Sequence, residues 1–73
     1  SLYYFDRGLA KFEMKFSGDG NFIVWLLDEY GNKVELLANE IGSFSGSTGA
    51  KIPSDGRYML DIQADGNWAI SLK

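Results

Sequence analysis

Seventy-three residues with ten acids, seven bases, no cysteine, no histidine and a formal charge of −3 are the size of one small domain. They exclude disulfide staples and thiol chemistry, and they remove both the commonest zinc ligand and the usual general base near neutral pH. The charges are scattered singly, which disfavours nucleic acid and anionic membrane surfaces as partners. No apolar run approaches bilayer length and no basic segment leads into an apolar one, so neither membrane insertion nor an intact signal peptide is expected.

The chain opens on an aromatic leader, Leu2-Tyr3-Tyr4-Phe5, which ends at Gly8. From Leu9 to Phe16 the pattern alternates. Ala10, Phe12, Met14 and Phe16 share one face while Lys11, Glu13 and Lys15 share the other, the signature of a half-buried strand.

Ser17-Gly18-Asp19-Gly20-Asn21 then turns the chain into Phe22-Ile23-Val24-Trp25-Leu26-Leu27, an uninterrupted apolar run closed by Asp28. The run is too short for an independent helix and is bounded by turn residues. It predicts a central strand covered on both faces, because such strands lose their alternation.

Asp28-Glu29-Tyr30-Gly31 suits a type I turn with Gly31 left-handed, a bulged hairpin that returns through Lys33-Val34-Glu35-Leu36-Leu37. Residues 38–51 mix Gly42, Gly46 and Gly49 with Ser and Thr. They read as a loop holding one short or irregular edge strand near Phe44.

Ile52-Pro53-Ser54-Asp55-Gly56 is a turn in which Gly56 suits a positive φ. Beyond it, Tyr58, Leu60 and Ile62 alternate, then Ala64-Asp65-Gly66-Asn67 turns, and Trp68, Ile70 and Leu72 alternate again, which together predict a second hairpin. No stretch holds a helical period.

The expected core is Phe12, Met14, Phe16, Phe22, Val24, Leu26, Val34, Leu36, Tyr58, Leu60, Ile62, Trp68, Ile70 and Leu72. The whole predicts one all-β domain over residues 1–73, which a longer protein could contain. Its expected architecture is an antiparallel, jelly-roll-like sandwich or flattened barrel of five to seven short strands.

Asp19, Asp55 and Asp65 each precede a glycine, and a metal reading would make them calcium ligands. The ligand spacing of a calcium loop and its closing Glu are missing, however, and Asp-Gly is what tight turns favour, so no metal and no cofactor are predicted. Catalysis is not expected either. Asp28 with Glu29, or Asp61 with Asp65, are the available carboxylate pairs, and no Ser or Thr has a neighbouring base or a nucleophile-elbow pattern.

The second face of the central run, Ile23, Trp25 and Leu27, needs a cover that a two-layer sandwich does not supply. Either residues 2–5 or 38–50 fold across it, or it forms an exposed patch with Tyr3, Tyr4 or Tyr30 alongside. Such a patch would bind a saccharide, a protein or a second copy of the domain.

Two stretches resemble bacterial pre-peptidase C-terminal domains. The first is Ile52-Pro53, then Gly56-Arg57-Tyr58-Met59-Leu60-Asp61-Ile62, then Gly66-Asn67-Trp68-Ala69-Ile70-Ser71-Leu72, and the second is the Phe22 to Asp28 run with Gly31-Asn32. The resemblance implies a jelly-roll-like accessory module of a bacterial extracytoplasmic or surface protein, without catalytic residues of its own. Two functions are therefore open: a non-catalytic binding module acting through the face near Trp25, and a structural or self-associating domain with no ligand.

Overall fold

The structure, a computed structural model, describes residues 2–72. Seven strands and no helix are found among them: β1 Leu2–Phe5, β2 Gly8–Ser17, β3 Asn21–Asp28, β4 Lys33–Ile41, β5 Phe44–Ile52, β6 Gly56–Ala64 and β7 Asn67–Leu72. They form two antiparallel sheets, a four-stranded one in the order β1-β6-β3-β4 and a three-stranded one in the order β5-β2-β7. The architecture is thus a sandwich and not a flattened barrel.

Only β3 and β4 are joined as a sheet hairpin; every other connection carries the chain from one sheet to the other. The predicted β6–β7 hairpin is therefore corrected. β6 pairs with β1 and β3, whereas β7 pairs with β2. Asp65-Gly66 is a corner between layers, which a tight turn serves as readily as it serves a hairpin.

The interior is built from the alternation of β2 against that of β3. Phe12, Met14 and Phe16 face Phe22, Val24 and Leu26, and all six are fully or almost fully buried. The Phe16 and Phe22 rings lie parallel, 4.9 Å apart. Leu37 and Ala38 of β4, Ala50 and Ile52 of β5 and Tyr58 of β6 complete this core.

One end of the sandwich is closed by Phe5, which sets its ring edge-on to Phe12 at 5.8 Å. At the same end the Tyr58 hydroxyl donates to the Ser54 carbonyl four residues upstream at 2.6 Å. This contact resembles the tyrosine corner of Greek-key sandwiches and fixes the crossing from β5 to β6.

At the other end three corners are stacked. Gly42 N–H donates to the Gly20 carbonyl, Asp65 N–H donates to the Asn21 carbonyl, and Gly18 lies against Asp65 and Gly66 with no room for a side chain. The recurring Asp-Gly-Asn sequence thus has a packing cause.

Other expectations need correction. Residues 38–51 are not a loop: β4 runs on to Ile41, and the nine residues from Phe44 to Ile52 pair with Gly8 to Phe16 of β2. The strand is at an edge, as expected. Its small residues suit the packing, since Gly46 leaves space for the ring of Phe44. In β4 a register shift opposite Val24 and Trp25 breaks the alternation, so Leu37 is buried beside Ala38 while Leu36 is turned out.

Trp68 and Leu72, expected in the core, are each 49% exposed. They do point to the same side as Phe16 and Phe12, but β7 is the sheet edge and the interior is open there. Gly31 has the expected left-handed backbone; Gly56 does not.

Candidate functional site

Residues directly opposite in an antiparallel pair share a face, so the register assembles the outer surface of the four-stranded sheet row by row. Ile23 lies between Gln63 and Asn39, Trp25 between Asp61 and Leu36, and Leu27 between Met59 and Lys33. Met59 in turn is opposite Leu2. An apolar strip therefore runs from Leu2 through Met59 and Leu27 to Trp25, Leu36 and Ile23, bordered by a carboxylate, two amides and an ammonium group.

Neither of the expected covers lies over this strip. Residues 2–5 form β1, an edge strand of the same sheet, and residues 44–52 belong to the opposite sheet. The expectation that β3 is covered on both faces is corrected accordingly. Its inner residues are fully buried, and Ile23, Trp25 and Leu27 are half-buried by their immediate neighbours alone.

Among those neighbours, Lys33 reaches over the indole. Its Nζ lies 4.6 Å from the centroid of the Trp25 ring, a cation–π contact worth about 0.5–1 kcal/mol where solvent reaches it. The hairpin positions this lysine. The Asp28 carboxylate accepts the N–H groups of Tyr30 and Asn32, both at 2.9 Å, and the Asn32 side-chain amide at 3.1 Å. The backbone closes the same turn through Asp28 N–H to the Asn32 carbonyl and Gly31 N–H to the Asp28 carbonyl.

Hydrogen bonding from the Asn32 backbone, supported by the Asn32 side chain and the Tyr30 and Gly31 amides, holds the Asp28 carboxyl below its ordinary range. Tyr30, at the tip, is raised above the usual phenol value by hydrogen bonding to Glu29 and by that residue's charge.

The aromatic candidates divide. Tyr4 is opposite Arg57 on this outer face and is exposed. Tyr30 projects from the hairpin at the end of the face and is also exposed. Tyr3 does not join them: it is opposite the buried Tyr58 and packs its ring beside Phe5, which places it on the inner side.

Met59 and Lys33 have no site role in the sequence reading, Asp61 enters it only as a carboxylate partner of Asp65, and Leu36, expected in the core, is instead turned out. The alternation of Tyr58, Leu60 and Ile62 implied that Met59, Asp61 and Gln63 point outward. That they flank Trp25 depends on the pairing of β6 with β3.

The three aspartates considered as calcium ligands are not brought together. Asp19 and Asp65 are in the stacked corners, whereas Asp55 lies beyond the far end of β6 and accepts the Arg7 N–H at 2.6 Å. Among the described residues no three Asp, Glu, His or Cys side chains cluster. No helix among them is long and apolar enough to cross a membrane.

No protein-family model, no curated protein and no solved structure matches this chain.

Proposed function

We propose that this domain is a non-catalytic binding module that engages an extended saccharide chain through the outer face of its four-stranded sheet, centred on Trp25. The observation that carries the reading is the two-sidedness of β3. One side is fully buried at Phe22, Val24 and Leu26, and the other presents Ile23, Trp25 and Leu27 with no element of the described residues over them.

The bordering groups favour a saccharide. An indole suits the apolar face of a sugar ring, and Asp61, Gln63 and Asn39 supply acceptors and donors for its hydroxyls on both sides of that ring. The face is not roofed by another strand among the described residues, which suits a polymer more than a small enclosed ligand. Lys33 has to swing away for stacking on that side of the ring. The cost is about 0.5–1 kcal/mol, small beside the roughly 1.5–3 kcal/mol expected from burying one large side chain. The resemblance to pre-peptidase C-terminal domains supports an accessory role in a bacterial extracytoplasmic protein.

The test uses a Trp68→Phe background, in which Trp25 is the sole indole. Co-sedimentation with a panel of insoluble polysaccharides, including cellulose, chitin, xylan and peptidoglycan, is paired with fluorescence titration by soluble oligosaccharides. Binding with a blue-shifted Trp25 emission is expected. Trp25→Ala should abolish it, and Lys33→Ala should retain or strengthen it. Retention of binding by Trp25→Ala, or no binding to any polysaccharide, overturns the proposal.

A further inference from the structure

The four sheet edges are not equally guarded. β4 carries two register irregularities together with Lys33, Glu35 and Glu40, and β1 is four residues long. β5 contains Gly46, Gly49 and Lys51, and of its large inner residues Ile52 is buried and Phe44 packs against the core. Charge, bulges and shortness are the ordinary protections of an exposed edge. β7, Asn67-Trp68-Ala69-Ile70-Ser71-Leu72, has no charge, glycine, proline or register shift, and one of its two sides is unpaired.

The same strand borders the open side of the interior. Burial falls off from Phe12, Met14 and Phe16 of β2 and Phe22, Val24 and Leu26 of β3, which are sealed, to Leu60, Ile62, Ala64 and Ile70, which are partly buried. It falls further to Trp68 and Leu72, each 49% exposed.

The geometry points to a second copy of this chain as the occupant, through antiparallel pairing of β7 with β7 about a two-fold axis at Ile70. The strand is self-complementary in that register. Trp68 falls opposite Leu72 of the second copy, Ile70 opposite its counterpart, and Ala69 opposite Ser71. Both half-exposed residues of each chain are then covered at once, and two small outer residues meet without charge. The result is a continuous six-stranded sheet, β5-β2-β7-β7-β2-β5, with both interiors on the same side of it. A two-fold contact of this kind uses the same patch on both subunits. This surface lies on the other sheet from the Trp25 face and is independent of it.

One strand edge buries less than a standard interface of about 1,600 Å², so association should be followed by sedimentation equilibrium from about 10 µM to about 1 mM. The parent should shift from monomer to dimer mass over that range. Positions 69 and 71 are exposed and stand beside Lys15 and Glu13 of β2. They allow a test of register that leaves the fold intact. Ala69→Glu/Ser71→Lys sets opposite charges against each other across the two-fold axis and matches the β2 neighbours. Its dissociation constant should fall roughly tenfold. Ala69→Glu/Ser71→Glu and Ala69→Lys/Ser71→Lys set like charges together and should each raise it roughly tenfold, although they move the net charge in opposite directions. Trp25→Ala should leave the constant unchanged. A parent that stays monomeric, four proteins of equal affinity, or dissociation by Trp25→Ala overturns the inference.

Discussion

The stacking of the corners at one end of the sandwich can be tested by comparing three glycines. Gly31 has φ +86 with open space where a Cβ would sit. Ala there costs about 1–2 kcal/mol for the left-handed backbone, offset by about 0.4–1 kcal/mol because the unfolded chain is less free. Gly18 is the converse case. Its φ is not positive, but a Cβ would lie 2.6 Å from the Asp65 carbonyl oxygen. That is a backbone atom which cannot swing aside, and overpacking of this kind costs about 1–3 kcal/mol.

Gly66 combines the two. Its φ is +156, and a Cβ would overlap the Ser17 carbonyl oxygen and crowd Gly18 Cα at 3.2 Å. Gly66→Ala should therefore cost about 2–4 kcal/mol net, against under about 1.5 kcal/mol for Gly31→Ala. For a domain of this size each kcal/mol lowers Tm by roughly 4–8 °C, so thermal unfolding followed by far-ultraviolet circular dichroism resolves the series. Gly66→Ala should melt lowest, with Gly18→Ala between it and Gly31→Ala. If Gly66→Ala and Gly31→Ala melt together, the corners are not in contact and the packing reason for the repeated Asp-Gly-Asn sequence is wrong.

Protonating Asp28 should loosen the β3–β4 hairpin. Its folded pKa lies below the unfolded value, so its stabilising contribution is complete above the unfolded value and is lost as pH falls through about 4 and below. Urea midpoints measured from pH 7 down to about pH 3 should show that loss, and Asp28→Asn should flatten the slope. Trp68→Ala should cost about 1.5–2.5 kcal/mol, half the value for a sealed aromatic because half of the indole is in water. Leu26→Ala, at full burial, should cost about 2–5 kcal/mol by the same measurement. A Trp68 cost above that of Leu26 would mean that the interior is closed at β7.

The parts of the fold that were legible in the sequence are those governed by a period or by local backbone chemistry. Phe12, Met14 and Phe16 alternate with charges, so one face of β2 could only be the interior, and Gly31 after Asp28 specified the one hairpin. What was not legible depends on which strands become neighbours. An Asp-Gly turn reverses the chain equally well within a sheet or between sheets, so Asp65-Gly66 did not say that β7 would leave β6 for β2. The exposure of Trp68 follows from that edge position and not from its alternation. Leu36 and Leu37 are chemically equivalent, and only the bulge opposite Trp25 decides which is buried. For the candidate site, Trp25 was legible as a surplus apolar residue, but Asp61, Lys33 and Leu36 became its neighbours only through the order β6-β3-β4.

The two tryptophans therefore record two different shortfalls of one small sandwich, and they need separate remedies. Trp25 is half-buried because β3 is apolar on a side that a two-layer fold leaves to solvent; only something lying flat on the sheet can cover it. Trp68 is half-exposed because β7 has apolar residues on the correct side but stands at an edge. A strand that supplies backbone N–H and C=O groups covers it, and a flat ligand does not. The backbone demand at β7 and its absence at β3, whose two edges are already paired with β4 and β6, separate the two surfaces physically. A ligand for the Trp25 face should leave amide hydrogen exchange in β7 unchanged. Self-association through β7 should slow exchange at those residues of β7 whose N–H groups point away from β2, and should leave Trp25 emission where it was.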